Sequence, residues 1–112
     1  MVDLSRLARE FPDYPADSLP TIPAGFVDRS WRNETLPSFI HEESGVVLWC
    51  DYPNPLQREW PDAPRFSAVQ CVTRDDEAGW QFDGTELPLF ETNSAVVAVA
   101  SLLNFIEKAD AS

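Results

Sequence analysis

His41 and Cys50 are the two residues in this sequence that could form a nucleophile and its general base. Such a pair requires the two side chains to lie within hydrogen-bonding reach of each other. If Ser44 and Gly45 form a two-residue hairpin turn, Phe39 lies opposite Cys50, and His41 shares a sheet face with Cys50 only diagonally. The Cα atoms of a diagonal pair are about 7–8 Å apart. The spacing therefore predicts buried or half-buried structural roles for both residues.

Ligands for a metal ion or a nucleotide cofactor are sparse in the sequence. Zinc needs three or four converging ligands, whereas the chain has one His and two Cys that stand 21 positions apart. Asp75-Asp76-Glu77, followed by Gly79, lacks the alternating ligand positions and the terminal Glu of a calcium loop. The four glycines are widely separated, so no glycine-rich phosphate loop is present. We therefore expect neither a metal nor a cofactor.

Asp51 is the carboxylate best placed for acid–base or ligand chemistry. It stands late in a predicted strand, directly before Tyr52 and near a proline-rich loop that carries Trp60. Nothing in the sequence fixes a partner group for it, and a catalytic assignment requires named roles and geometry. A small enzyme or ligand-binding protein with a pocket near Asp51, Tyr52 and Trp60 is therefore one alternative function.

The sequence is strongly acidic, with a formal net charge of −11 from 19 acidic residues against eight Lys and Arg. Direct binding of nucleic acid or of an anionic membrane through a basic surface is therefore not expected. An acidic surface attracts basic partners, although negative charge also serves solubility alone. Trp and Arg dominate the hot spots of protein interfaces. These considerations select the candidate partner-binding residues Trp31, Arg58, Trp60, Asp75, Asp76 and Glu77.

The leading hypothesis for function is a non-enzymatic protein-binding domain whose acidic surface meets a basic partner protein. Toxin-immunity proteins and inhibitors of nucleic-acid-handling enzymes are antagonists of this type. A DNA mimic would carry its acids in ordered rows, whereas here they are scattered and interspersed with basic residues. A further alternative is an accessory or structural subunit of an oligomer, which a large exposed apolar patch would indicate.

Length and composition indicate one domain spanning residues 1–112, with enough apolar residues for a modest core. No apolar run approaches the 18 or so residues of a membrane span. The first residues lack a basic region followed by an apolar stretch, so we expect no signal peptide and a cytoplasmic location. Cys50 and Cys71 fall in predicted strands, where reduced thiols act as small buried hydrophobes.

The hydrophobic pattern predicts an α+β fold: a small antiparallel sheet of about four strands, a C-terminal helix packed on one face and a short N-terminal helix. Helical spacing of apolar residues places the first helix at 3–11 and the last from a cap at 92–94 to about residue 108. The buried side of the last helix is predicted to hold Ala95, Ala98, Val99, Leu102, Leu103, Phe105 and Ile106. Four prolines make residues 12–24 an extended connector, with a polyproline ligand as the alternative.

The strands are predicted from alternation and turn signals. A central hairpin comprises strands 38–42 and 46–52, and it is followed by strands 66–74, 80–82 and 87–90. A short strand is expected at 26–29 or 31–35, a helical turn at 57–60 and a second hairpin turn at Asp83-Gly84. Strand 46–52 is apolar on both faces and so is interior. The charged end of strand 38–42 indicates an edge or fraying end, and Pro88 indicates an edge strand.

Overall fold

The computed structural model describes residues 3–32, 34, 36–71, 73–77, 79–81 and 87–111. It confirms the α+β class: an antiparallel sheet carries a short N-terminal helix and a long C-terminal helix. Helix α1 covers Ser5–Glu10 and helix α2 covers Ala95–Ala111. The predicted strand residue Phe82 and the predicted Asp83-Gly84 turn lie outside the described residues.

The main sheet has five strands rather than about four. The five strands are Phe26–Asp28 (β1), Ser38–His41 (β2), Val46–Cys50 (β3), Phe66–Gln70 (β4) and Pro88–Thr92 (β7). Their order in the sheet, β1-β2-β3-β4-β7, follows the chain except for one skipped hairpin, and every neighbouring pair is antiparallel. The skipped hairpin forms a separate two-stranded sheet from Thr73–Asp75 (β5) and Gly79–Gln81 (β6).

The register of the central hairpin differs from the predicted one by two residues. Phe39 lies opposite Leu48, not opposite Cys50, because the turn contains four residues, 42–45, rather than two. A shift of two leaves every side chain on its predicted face, since side chains alternate along a strand with a period of two. The faces were therefore predicted correctly although the register was wrong.

Two strand predictions are corrected by the observed pairing. Strand β2 is interior, between β1 and β3, so its charged end marks the start of a turn rather than a sheet edge. The predicted strand 66–74 is two strands, because pairing with β3 ends at Gln70 and the chain restarts in the second sheet at Thr73. The interior position of β3 and the edge position of β7 are confirmed.

The core lies on one face of the main sheet, beneath both helices and the connector. Helix α2 contacts β4 and β7 and buries Ala98, Leu102 and Ile106. Leu103, which was predicted on the same side, is 44% exposed, so that assignment was wrong. The remaining core residues are apolar side chains from α1, the connector and the strands: Leu7, Phe11, Tyr14, Ile22, Phe26, Phe39, Val46, Leu48, Cys50, Phe66 and Ala68.

The N-terminal region is fastened to β1 by one carboxylate. Asp28 Oδ2 accepts a hydrogen bond from the Leu7 N–H of α1 at 2.6 Å, and its Oδ1 accepts one from the Ser30 N–H at 2.9 Å. Free N–H groups in the first turn of a helix are satisfied by such acceptors. The connector packs on the sheet through the buried Tyr14 and Ile22 and includes a 3₁₀ turn at Ala16–Ser18. It therefore acts as part of the core.

Candidate functional site

Asp51 is held at the end of β3 by hydrogen bonds to its backbone on both sides. Its N–H donates to the Arg65 carbonyl at 2.6 Å, and its carbonyl accepts a hydrogen bond from the Tyr14 hydroxyl at 2.9 Å. The side chain falls on the same side of the sheet as Trp49, because alternate residues of a strand share a face. This is the face opposite the apolar core.

The loop that follows β3 is organised around Arg58. Its guanidinium donates to the backbone carbonyls of Tyr52 at 2.7 Å, Ala63 at 2.8 Å and Pro53 at 3.4 Å. The first turn of the loop is 3₁₀, at Pro55–Gln57, and not the helical turn predicted at 57–60. Three hydrogen bonds from one guanidinium fix a loop that has little secondary structure of its own. The loop thereby holds Trp60 in place, although the indole is 70% exposed.

Asp51 and Trp60 line a cleft of about 450 Å³ on this face, hereafter the acidic cleft. Its charged and aromatic lining residues are Glu34, Trp49, Asp51, Glu59, Trp60 and Glu91. They come from the segment after β1, from β3, from the loop and from β7. No basic residue belongs to the described lining. The cleft therefore combines four carboxylates with two indoles, which is the chemistry that binds an organic cation.

The carboxyl of Asp51 is the most buried of the four. Only 4% of the residue is exposed. Oδ1 accepts a hydrogen bond from the Tyr52 N–H at 2.8 Å, whereas Oδ2 has no hydrogen-bond partner among the described residues. Burial raises the pKa of this carboxyl above its ordinary value, and the Tyr52 N–H and the Arg58 charge partly oppose that rise. Oδ2 is reached by solvent from the cleft, because the one fully buried side-chain atom without a partner among the described residues is Arg65 Nε.

Arg29 shows how a guanidinium fits the edge of the acidic cleft. Its Cζ lies 5.3 Å from the centroid of the Trp49 ring. Its Nη2 is 3.3 Å from Glu34 Oε1, and its Nη1 donates to Ser38 Oγ at 3.0 Å. A cation over an indole within about 6 Å is attracted by the ring's quadrupole. One carboxylate and one indole of the cleft thus already hold a cation from this chain.

The predicted partner-binding residues do not form one site. Trp60 lines the acidic cleft. Arg58 does not line it but donates hydrogen bonds to backbone carbonyls of the loop that carries Trp60. Trp31 is 48% exposed and lies outside the cleft lining. Asp75 belongs to β5, and Asp76 and Glu77 are exposed in the β5–β6 turn. None of these three residues is among those that line the cleft.

His41 and Cys50 have separate structural positions. His41 Nδ1 lies 2.7 Å from Ser44 Oγ and accepts a hydrogen bond from the Ser44 N–H at 3.2 Å, so the imidazole fixes the β2–β3 turn. His41 lies opposite Val46, four residues from Cys50, or about 13 Å along the strand. Cys50 is a free thiol, and burial raises its pKa to about 12. The pair is therefore not a catalytic dyad.

The remaining surface features offer less chemistry. A larger groove of about 850 Å³ runs along the connector, and its lining is mainly apolar. Helix α2 leaves Val96, Val97 and Leu103 exposed. Within the described part of the chain, no group of three or more His, Cys, Asp or Glu side chains is placed to hold a metal ion. None of the described helices is long and apolar enough to cross a membrane.

Several residues of the acidic cleft were missed by reasoning from the sequence. Trp49 was not among the candidate residues, although it shares a face of the predicted strand 46–52 with Asp51. Glu91 reaches the cleft because it lies opposite Ser67 on β4, which only the register of β7 reveals. Glu34 and Glu59 come from irregular segments, for which the sequence has no periodicity to exploit.

Comparisons of the chain with protein-family models, with curated proteins and with solved structures gave no match. The function must therefore be inferred from the cleft itself.

Proposed function

We propose that this chain is a non-enzymatic binding domain that recognises a basic protein, with the acidic cleft as the anchoring site for a cationic side chain of that partner. The observation that supports this function is the convergence of four carboxylates and two indoles, from distant parts of the sequence, on one cleft. Trp and Arg side chains near the centre of an interface are among the few residues that supply most of its binding energy. An antagonist of the inhibitor or immunity type, acting in the cytoplasm, fits this description.

The net charge of −11 supports the same proposal at longer range. A negative surface accelerates encounter with a basic partner, and a partly buried cleft then provides specificity. Nucleic acid is disfavoured as the direct ligand, because carboxylates repel phosphates.

The test is a pull-down with three forms of the full chain: the wild type, Glu59→Gln/Glu91→Gln in the cleft, and Glu43→Gln/Asp76→Asn outside it. Both double variants lose two negative charges from exposed positions, so they differ only in where the charge is removed. We expect a basic protein to be retained by the wild type and the outside variant, and to be lost by the cleft variant and at high salt. Equal retention by all three forms at both salt concentrations would reject the cleft as the anchor.

A small organic amine is the second candidate ligand, and Asp51 favours it. A pocket that contains a carboxyl with a raised pKa is typical of a ligand or active site. This candidate predicts saturable binding of a free amine such as spermidine, in the absence of any protein partner. Calorimetry with the same three forms distinguishes it from the protein-binding proposal.

A further inference from the structure

Resting on the function proposed above, we propose that the group bound by the acidic cleft is a guanidinium, the side chain of an arginine, and that Asp51 is the carboxylate that receives it. The partner would present this arginine from an exposed basic segment. Trp60 would supply the stacking surface, and Asp51 Oδ2 would be the hydrogen-bond acceptor.

The first support is the arrangement of Arg29 at the edge of the cleft. Its guanidinium combines an indole face, a carboxylate and a hydroxyl acceptor, with Cζ 5.3 Å from the Trp49 centroid and Nη2 3.3 Å from Glu34 Oε1. The rest of the cleft repeats the same combination of groups. Trp60 is the indole, and Asp51 and Glu59 are the carboxylates. Neither of these carboxylates forms an ion pair within the described part of the chain.

The second support is the unpartnered oxygen of Asp51. Only 4% of the residue is exposed, and the residue lines the cleft. Its Oδ1 is occupied by the Tyr52 N–H, and its Oδ2 has no hydrogen-bond partner among the described residues. Oδ2 is itself reached by solvent in the cleft, since the one fully buried side-chain atom without a partner among the described residues is Arg65 Nε. A charged donor on a ligand would replace that water with a stronger hydrogen bond. A ligand that donates to Oδ2 is therefore favoured over one that only enters the cleft.

Three features favour arginine over lysine. A guanidinium is planar and stacks on an indole, it carries several donors that reach separate acceptors at once, and it is less strongly hydrated than an ammonium. The acidic cleft offers a stacking surface and carboxylates on different elements, so several donors can be used together. An ammonium would keep its point-charge attraction but would lose the stacking and part of its hydration. A metal ion is a poorer fit, because no three acidic groups among the described residues lie close enough together to hold one.

The experiment uses the ¹⁵N-labelled full chain and two probes of equal charge, N-acetyl-arginine amide and N-acetyl-lysine amide. The indole N–H signals are followed by NMR, and a Trp60→Phe variant assigns the Trp60 signal. We expect saturable shifts at Trp60 and Trp49 with the arginine probe, and affinity about threefold or more lower with the lysine probe. Asp51→Asn keeps an oxygen for the Tyr52 N–H and should weaken arginine binding about five- to tenfold. Asp76→Asn, an exposed acid outside the cleft, should leave it unchanged.

Equal affinity for the two probes, or an unchanged affinity in Asp51→Asn, would overturn the inference. If Asp51→Asn does not give a folded spectrum, Trp60→Ala replaces it. The Trp60 side chain is largely exposed, so its truncation should preserve the fold while weakening arginine binding. Failure here is distinct from failure of the proposed function. A partner lost by Glu59→Gln/Glu91→Gln, together with no preference for arginine, would retain the binding domain and reject only the guanidinium.

Discussion

Gly45 illustrates how a single residue fixes the contact between the two sheets. It has a φ of +78°, and a Cβ built on it would lie 2.7 Å from Trp80 Cδ2. The Trp80 indole packs on this glycine while its Nε1 donates to the Glu42 carbonyl at 2.6 Å. The β5–β6 hairpin is therefore joined to the β2–β3 turn by one side chain, and the turn requires a residue without a side chain.

Gly45→Ala should therefore destabilise the protein more than Gly79→Ala. Both glycines have positive φ, +78° and +77°, so both substitutions incur the left-handed cost of about 1–2 kcal/mol. A Cβ at Gly45 would lie less than 3 Å from the Trp80 indole, whereas a Cβ at Gly79 would have no atom of the described residues within 4 Å. Overpacking adds about 1–3 kcal/mol. Urea unfolding of the two variants measures the difference, and equal losses would show that Trp80 moves aside freely.

Asp51 yields a prediction whose sign depends on pH. Its pKa is raised in the folded state, so the folded chain binds this proton more tightly than the unfolded chain does. The associated stability is present below the unfolded pKa and is lost as pH rises through the folded pKa. Asp51→Asn should therefore be more stable than the wild type near pH 7, and this difference should shrink below about pH 4.

The measurement is the free energy of unfolding of both forms across that pH range. A gain that is constant with pH would indicate improved packing instead of a removed charge. A variant that is more stable and yet binds arginine less well would show that the wild type retains a costly carboxylate for binding, as functional sites often do.

At the scale of elements, the strand faces were predictable and the registers were not. A turn of two residues and a turn of four both fit residues 42–45, and both leave Phe39 on the core side. The position at which β4 ends could not be predicted from the sequence for a related reason. Residues 66–74 stay largely apolar on both sides, so alternation alone has no break at Cys71, where the chain leaves one sheet for the other.

Helix α2 provides a prediction at this scale. Leu102 is fully buried, whereas Leu103, its neighbour, is 44% exposed. Leu102→Ala should cost about 2–5 kcal/mol through lost burial and a cavity. Leu103→Ala should cost less than about 1 kcal/mol, because the Leu103 side chain is partly exposed and its truncation removes less buried apolar surface. Thermal or urea unfolding separates the two. Similar losses would show that the helix is rotated about its axis relative to the described orientation.

At the scale of the whole molecule, charge repulsion is the dominant electrostatic feature. Against a net charge of −11, two ion pairs have both of their partners among the described residues, Arg9–Glu10 and Arg29–Glu34. We expect the thermal midpoint to rise as NaCl is raised from about 10 mM to about 300 mM, because salt screens repulsion between exposed acids. A gain of about 1 kcal/mol corresponds to about 4–8 °C for a domain near this size.

Calorimetric or circular-dichroism melting of the wild type and of Glu43→Gln/Asp76→Asn checks this expectation. The variant has two fewer negative charges, so its midpoint should be higher at low salt and should rise less with salt. A midpoint that does not change with salt in either form would show that the acids are too far apart to repel one another appreciably.

The candidate site could be predicted only in part, because some of its residues are brought together by the pairing of strands that are distant in the sequence. The neighbourhood of Asp51 and Trp60 was identified because a strand end and an aromatic loop are adjacent in sequence. Glu34 and Glu91 stand on either side of that stretch and reach the acidic cleft through the order and register of the strands. Long-range pairing of this kind has no local signal in a single sequence.

The strand order has a consequence for how the chain is made. Strands β2, β3 and β4 each pair with the strand synthesised just before them, so this part of the sheet can assemble in the order in which a ribosome releases it. The face of β4 that carries Phe66 and Ala68 stays uncovered until α2 has emerged. A nascent chain paused before α2 would therefore expose the apolar face of an incomplete sheet, which is prone to aggregation. That is the stage at which a chaperone would be most useful.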